Sequence, residues 1–389
     1  MNKRSKLNGL KLARVATLSF SLLSQLKKQL EDYKEEGIDI TLVSGSDDGM
    51  SIIDELKINH KKIVIPRDIS IIRDLIALFK LYFFFKSNKF DIVHSTTPKA
   101  GLLTAIAAYL AGVPLRFHTF TGQAWANLKG LKRWICIFMD KVIISLNTKV
   151  FADSNSQVKF LYENNVIRNK KNIHVLGNGS LAGVDLDVFS KSQIKNRDQN
   201  RENINIPRNA FVFIFLGRIN IDKGIKELLE AFISIVKGNS EAYLLLVGPF
   251  DIKDPVEKSR IENTINKTKN ILRHNYTSHP ETFLSMSDVL CCPSYREGFG
   301  TVIIEAGAMG LPSIGSNVIG LEDSIIHNET GLLFEKGNKE ELRKNMKLLM
   351  NNPDLRKRLG SNAYHNSVNN FSSSKLSQLV LDEYKNYYE

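Results

Sequence analysis

Cysteine is scarce in this 389-residue chain, and the three present, Cys136, Cys291 and Cys292, form no C-x-x-C. They frame neither a disulfide scaffold nor a zinc site, and point to core packing in a reducing compartment. No run of about 18 uncharged apolar residues occurs, so nothing reads as a membrane span. The opening MNKRSKLNGLKLARVATLSFSLLSQ is basic and then apolar, as a signal peptide is. Its apolar part is short, no A-x-A site follows, and QLKKQLEDYKEEG continues as an amphipathic helix, so it reads as a first strand and helix. The first turn, Leu18-Ser19-Phe20-Ser21, has no glycine. A G-x-G-x-x-G fingerprint is thus missing there, which counts against an NAD or FAD enzyme. Basic residues form no run and no RNA or DNA motif is present, which counts against a nucleic-acid binder despite the basic balance. No internal repeat or low-complexity tract stands out.

What is present is ordinary in amount and uneven in place. Apolar residues make up 43% and charged residues 24%, as in a soluble globular protein. The length suits two domains of about 150–200 residues each. The formal charge is +12, and all of it lies in the first half: residues 1–195 hold 29 Lys/Arg against 17 Asp/Glu, residues 196–389 hold 24 of each. One half is therefore expected to face something anionic.

Strand-like and helix-like segments alternate. Leu12–Leu18, Ile38–Ser44, Ile63–Ile65, Asp91–His94, Leu115–Thr119, Phe151–Asp153 and His174–Leu176 read as strands, with Gly45–Gly49 as a loop. Leu22–Glu36, Ile69–Lys89 and Ala100–Ala111 read as helices. The polar stretch 191–208 reads as a linker, after which Ala210–Gly217 and Ala242–Gly248 are buried strands. Helices are expected at Ile225–Val236, Val256–Asn266, Leu342–Leu359 and Lys375–Tyr388. This alternation predicts parallel, doubly wound α/β sheets.

The most informative stretch is PSYREGFGTVIIEAGAMGLPSIGSNVIGLEDSIIHNETGLLF, 293–334. Val289–Cys292 reads as a buried strand and Thr301–Met309 as a helix starting right after Gly300. Glycines 298 and 300 at this turn let backbone approach a ligand, and the first helical N–H groups are left open to phosphate. Glu305 lies among Ile303, Ile304, Ala306, Gly307 and Ala308. A carboxylate there needs a partner, and a pair of sugar or ribose hydroxyls suits its two acceptor oxygens. Arg218 and Lys223 flank the end of the Ala210–Gly217 strand, where a guanidinium fork and an ammonium can neutralise a diphosphate.

Glu297-(seven residues)-Glu305, set in PSYREGFG and followed by EAGAMGLPSIGS and ETGLLF, resembles the C-terminal half of glycosyltransferase family 4. The likeness is densest at 94–190 and 211–334. It implies the GT-B architecture, two doubly wound Rossmann-like domains facing a cleft, acting on a nucleotide-sugar with retention of anomeric configuration. Residues 1–190 would be the acceptor-binding domain and 209–370 the nucleotide-sugar domain, with 371–389 crossing back to the first. Arg218 and Lys223 correspond to the family's diphosphate pair, and His118 in HTFTGQAW to the histidine that approaches the donor sugar. Glu297 would bind sugar hydroxyls and Glu305 the ribose, with Gly298, Phe299, Gly300, Thr301 and Val302 shaping the donor site. Arg273–Tyr276 lies where the family holds the base. No general base stands out, which fits retention with the leaving phosphate accepting the acceptor proton. Asp185-Leu186-Asp187 has the D-x-D form but reads as structural inside G-V-D-x-x-x-F, so no metal or other cofactor is expected. Ala152–Ser156 resembles the family's pre-helix motif, with Ser154 as N-cap.

The HTFTGQAW segment and the Lys/Asn-rich composition are also similar to those of bacterial capsule and O-antigen transferases, implying a UDP-linked donor and a polyprenyl-pyrophosphate-linked glycan acceptor. A nucleotide-sugar 2-epimerase of the same architecture would need its own acid and base carboxylates. Two Lys-flanked aromatic stretches, 80–89 and 125–141, suit either plain packing or a peripheral contact with anionic membrane, at the inner face of a bacterial cytoplasmic membrane. In the second, Trp125, Lys129, Lys132, Arg133 and Trp134 are the candidates for acceptor or membrane contact.

Overall fold

The computed structural model describes residues 7–45, 50–66, 70–237 and 241–388. Contacts divide the chain into two units, Met1–Gly183 with Ser373–Glu389, and Val184–Ser372.

The first unit is built on seven parallel strands: β1 (Lys11–Leu18), β2 (Asp39–Gly45), β3 (Asn59–Lys62), β4 (Ile92–Thr96), β5 (Leu115–Phe120), β6 (Lys149–Ala152) and β7 (His174–Val175). Their order is β3-β2-β1-β4-β5-β6-β7. Both faces are covered, so alternate side chains enter different cores. Leu12 and Ala16 of β1 join Leu26, Leu30, Tyr33 and Tyr384, from the helices Ser19–Glu35 and Ser373–Tyr388. Ala13 and Val15 join Ala77, Leu81, Phe85 and Leu103 on the other face, from the helices Ile71–Asn88 and Pro98–Ala111. The C-terminal helix is thus part of the first unit. Its Tyr384 hydroxyl lies 2.6 Å from His94 Nδ1, and His94 Nε2 lies 2.8 Å from Thr119 Oγ1.

The second unit repeats the plan with β8 (Phe211–Leu216), β9 (Ala242–Val247), β10 (Ile271–His274), β11 (Val289–Cys292), β12 (Ser313–Ser316) and β13 (Gly331–Phe334), ordered β10-β9-β8-β11-β12-β13. Adjacent cysteines show the alternation: Cys291 packs with Phe213 and Ile314 on one face, Cys292 with Leu290 and Phe299 on the other. The fold class is the expected one, two doubly wound Rossmann-like α/β domains.

Local readings differ in three places. Residues 63–66 form no strand; the strand is the polar edge Asn59–Lys62, while Ile63 and Ile65 turn into the core. An edge strand pairs on one side only, so its ladder does not require apolar residues. Residues 191–208 carry a 3-10 turn and the helix Arg197–Asn203 instead of an open linker. Buried Arg201 donates to the carbonyls of Met286, Arg208 and Ala210 and to Asp288 Oδ2, holding this stretch on the second unit. The expected helix Leu342–Leu359 is two, Lys339–Asn351 and Pro353–Asn370, because Pro353 cannot continue a helix and Asn352 caps the next at Leu355 N–H, 3.0 Å. The Gly45–Gly49 loop lies largely outside the described residues.

Candidate active site

In a doubly wound sheet a crevice opens above the carboxyl ends of the strands where the order reverses. In the second unit that point lies between β8 and β11. Arg218 and Lys223 follow β8, and Glu297 to Glu305 follow β11. The two loops are tied together: Tyr295 N–H donates to Asp222 O at 2.8 Å and its hydroxyl to Glu227 Oε1 at 2.7 Å. Gly224 permits this closeness, with φ +71° and an added Cβ only 2.0 Å from the Pro293 carbonyl oxygen. Asn220 Oδ1 accepts the Lys223 N–H at 3.0 Å and fixes the turn.

Lys223 Nζ is thereby delivered to Glu297 Oε1, which also accepts from the Ser294 hydroxyl at 2.7 Å. Both charged side chains are largely buried. The Cys292 thiol lies 3.9 Å from the same oxygen, and burial together with the Glu297 charge pushes it up to about 12, so it is inert at neutral pH. Arg218 takes a different place: it is exposed and pairs with Asp251, from the segment after β9. The expected cation pair is therefore one enclosed ammonium and one open guanidinium.

The helix Thr301–Ala308 begins at Gly300, whose φ of +80° turns the chain. Its first intrahelical bond is Ile303 N–H to Gly300 O at 2.8 Å, so the N–H groups of Thr301 and Val302 precede it. Phe299 differs from expectation. Its ring is buried against Phe371 at 5.2 Å, so only its backbone can serve a ligand. Glu305 is half-buried, and among the described residues it has no hydrogen-bond donor. Burial first, and then the charge of Glu281, raise its carboxyl to about 7. Glu281 is itself buried, with Oε1 3.2 Å from His279 Nδ1 and Oε2 without a partner. Both carboxyls thus keep acceptor capacity that no donor of the described residues meets, the kind a vicinal diol satisfies. Of Arg273–Tyr276, Arg273 lies over the Phe250 ring and His274 against Phe283.

His118 belongs to the first unit, on β5 opposite Ser95 of β4. Ser95 Oγ lies 2.9 Å from Nδ1, and the ring sits against Phe120 and over Gly101, where a Cβ would approach Cε1 to 2.3 Å. Burial lowers its pKa to about 3, so the ring is neutral, and Nε2 is left without a partner. Ser154 caps its helix as expected, accepting from Gln157 N–H at 3.3 Å. Next to it, Asp153 is buried, raised to about 8 by desolvation, with Oδ1 unpartnered.

The tryptophan stretch divides. Trp125 is buried: its indole N–H donates to Asp140 Oδ2 at 2.7 Å, its ring stacks on Phe160, and Arg133 lies over it. It therefore cannot touch acceptor or membrane. Lys129, Lys132 and Trp134 are exposed. In the D-x-D stretch, Asp185 Oδ1 accepts Asp187 N–H at 3.0 Å, a local turn. Among the described residues no cluster of three or more His, Cys, Asp or Glu has a metal-holding arrangement.

Sequence reasoning missed Ser294, Asp251, Ser95 and Glu281. Asp251 meets Arg218 and Ser95 meets His118 across neighbouring strands, which no local pattern carries, and Glu281 acts on Glu305 from the helix before β11; Ser294, three residues before Glu297, was close enough to be suspected.

The chain matches the family described as "Glycosyl transferases group 1" over residues 196–366 and "Glycosyl transferase 4-like domain" over residues 25–179. It is 32% identical to the capsular polysaccharide biosynthesis glycosyltransferase CapM of Staphylococcus aureus over 97% of this chain and 96% of that protein. It is 32% identical to the UDP-Gal:alpha-D-GlcNAc-diphosphoundecaprenol alpha-1,3-galactosyltransferase of Escherichia coli, over 69% of this chain and 68% of that one. Among solved structures, a glycosyltransferase from Rickettsia africae superposes with a TM-score of 0.80 at 22% identity, covering 98% of this chain and 99% of that chain.

Proposed function

The chain belongs to the glycosyl transferases group 1 family, and from that premise we propose that it moves a sugar from a UDP-linked donor, with retention, to a polyprenyl-pyrophosphate-linked glycan in bacterial surface polysaccharide synthesis. The observation that carries the reading is the enclosed Lys223–Glu297–Ser294 group beside the open start of the Thr301–Ala308 helix. The UDP and lipid-linked parts rest on the name of the Escherichia coli relative, and the capsule setting on that of the Staphylococcus aureus one.

In this reading the donor diphosphate lies at the Gly300–Val302 backbone, with Lys223 and Arg218 compensating the charge that grows as the nucleotide departs. Preorganised donors of this kind stabilise a leaving diphosphate without reorganising. Glu297, held by Lys223 and Ser294, accepts from sugar hydroxyls, and Glu305 accepts from the ribose. His118 is assigned to the donor sugar by resemblance alone; its Nε2 is buried and has no partner within the first unit. The departing phosphate takes the acceptor proton, so charge compensation and positioning suffice, and no metal is given a role. An acceptor on a lipid pyrophosphate places the enzyme peripherally at the inner face of the cytoplasmic membrane.

The test begins with thermal melting against UDP-, GDP- and ADP-sugars, since a ligand that binds the folded state raises the melting temperature. A UDP-sugar should give the largest rise. Transfer to a synthetic polyprenyl-pyrophosphate-linked sugar should then persist in excess EDTA, and the product anomer seen by NMR should match the donor. Inversion, or strict dependence on added divalent metal, would overturn the mechanism.

A further inference from the structure

Helices packed on a sheet bury one stripe and normally turn polar residues to water. Two helices of the first unit do the opposite. On Ile71–Asn88, the face away from Ala77, Leu81 and Phe85 shows Ile72, Ile76, Phe79 and Phe83, spaced i, i+4, i+7, i+11; Ile72 is 74% exposed and Phe83 64%. On Gly130–Leu146, the outer stripe is Leu131, Trp134, Ile135 and Phe138, with Leu131 72% exposed and the Trp134 and Phe138 rings stacked. The Pro98–Ala111 helix packs against both and adds exposed Tyr109 and Leu110. Scattered exposed apolar residues are normal, but aligned stripes on neighbouring helices mark an interaction surface.

The charges on the same helices point to the partner. The three segments hold Arg73, Lys80, Lys86, Lys99, Lys132, Arg133 and Lys141 against only Asp74 and Asp140. Both acids are occupied, Asp74 by Lys99 at 2.7 Å and Asp140 by Trp125. Among the described residues Lys80, Lys86, Lys132 and Lys141 have no ion pair. A second copy meeting this face by two-fold symmetry would set lysines against lysines. An anionic bilayer accepts both the rings and the cations.

We propose that the outer stripes of helices Ile71–Asn88 and Gly130–Leu146 form a membrane-docking face that inserts into an anionic lipid surface, with Trp134, Phe138, Phe79 and Phe83 as anchors. It deepens the lipid-linked acceptor reading by naming the partner surface, yet it stands on exposure and charge alone. Apolar insertion adds a part of the binding that salt does not screen, and the lysines add about 1 kcal/mol each near anionic headgroups.

The test uses the full chain and vesicles of phosphatidylglycerol with phosphatidylcholine, in flotation at low and high salt. Wild type should float with the vesicles, bind more weakly in high salt, and still retain a bound fraction there. Phe79→Ser/Phe83→Ser and Trp134→Ser/Phe138→Ser should each lower partitioning at least tenfold while melting as wild type does and keeping the UDP-sugar melting shift. Lys80→Gln/Lys132→Gln should reduce only the salt-sensitive part. Because Trp125 is buried, the blue shift of tryptophan emission on adding vesicles should vanish in Trp134→Phe. The proposal is overturned if wild type ignores anionic vesicles at low salt, or if the serine variants float as wild type does. It is equally overturned if light scattering shows a dimer that these variants break, the face then being a contact between copies. Loss of the UDP-sugar shift in wild type would count against the transferase reading and leave the docking result standing.

Discussion

At the scale of single residues, the site is a set of charges whose states depend on their neighbours. Glu305 carries a carboxyl raised to about 7 by burial and by Glu281. Between the ordinary carboxylate range and 7, the folded chain holds a proton that the unfolded chain has released. Stability contributed by this group is therefore complete at low pH and lost as pH rises toward and through 7. Glu305→Gln should stabilise the ligand-free protein at pH 8, by on the order of 1–3 kcal/mol, with the gain vanishing near pH 4, while donor affinity falls. Melting curves of both proteins across pH would check this; a constant difference would refute it. Lys223 and Glu297 are coupled in a different way. Removing one leaves the other buried and unpaired, at a cost of about 2–4 kcal/mol, whereas removing both need not. In urea unfolding, Lys223→Ala/Glu297→Ala should be more stable than either single variant, and all three should be inactive. Arg218→Ala, which breaks only an exposed pair with Asp251, should unfold within about 0.5 kcal/mol of wild type and still lose transfer.

Elements position these residues through two tight joints. Gly224 ends the turn that carries Lys223, and nothing larger fits beneath the Pro293 carbonyl. Gly300 starts the phosphate-facing helix at positive φ, with an added Cβ 2.5 Å from Leu321 Cδ2. At Gly224 the neighbour is backbone and cannot rotate away, so Gly224→Ala must separate the β8 and β11 loops. It should cost about 2 kcal/mol or more and move Lys223 off Glu297. Gly300→Ala meets a flexible leucine end and should cost less in stability, while still disturbing the first N–H groups. Denaturation together with the UDP-sugar melting shift separates these effects: Gly224→Ala loses both, Gly300→Ala chiefly the second. The helix boundary at Pro353 was legible, since proline ends helices, yet amphipathic spacing on both sides suggested one continuous helix. There the local rule outweighed the pattern.

At the scale of the whole molecule, the chain returns to where it began. Val380, Leu381 and Tyr384 of the last helix are buried in the first unit, in one cluster with Leu26, Leu30 and Tyr33. Burial of such side chains is worth about 1.5–3 kcal/mol each. A chain ending at residue 372 should therefore lose most of the stability of its first unit, and be recovered aggregated or as a broad, non-cooperative melt. A soluble protein with wild-type melting would show that the helix is dispensable. No described helix is long and apolar enough to cross a membrane.

The sequence by itself determined the two doubly wound sheets, because alternating apolar strands and amphipathic helices leave few other ways to bury both kinds of face. It also determined the chemistry offered after β8 and β11, since Arg218, Lys223, Glu297 and Glu305 stand within short, ordered motifs. Tertiary structure alone decided which of these meet. Lys223 and Glu297 are 74 residues apart in the chain and become partners only because β8 and β11 lie side by side. It also decided between Trp125 and Trp134, two aromatic residues in one basic stretch that sequence could not tell apart. Trp125 lies in the turn before the Gly130–Leu146 helix and points in to Asp140, whereas Trp134 stands on the outer face of that helix and points to solvent.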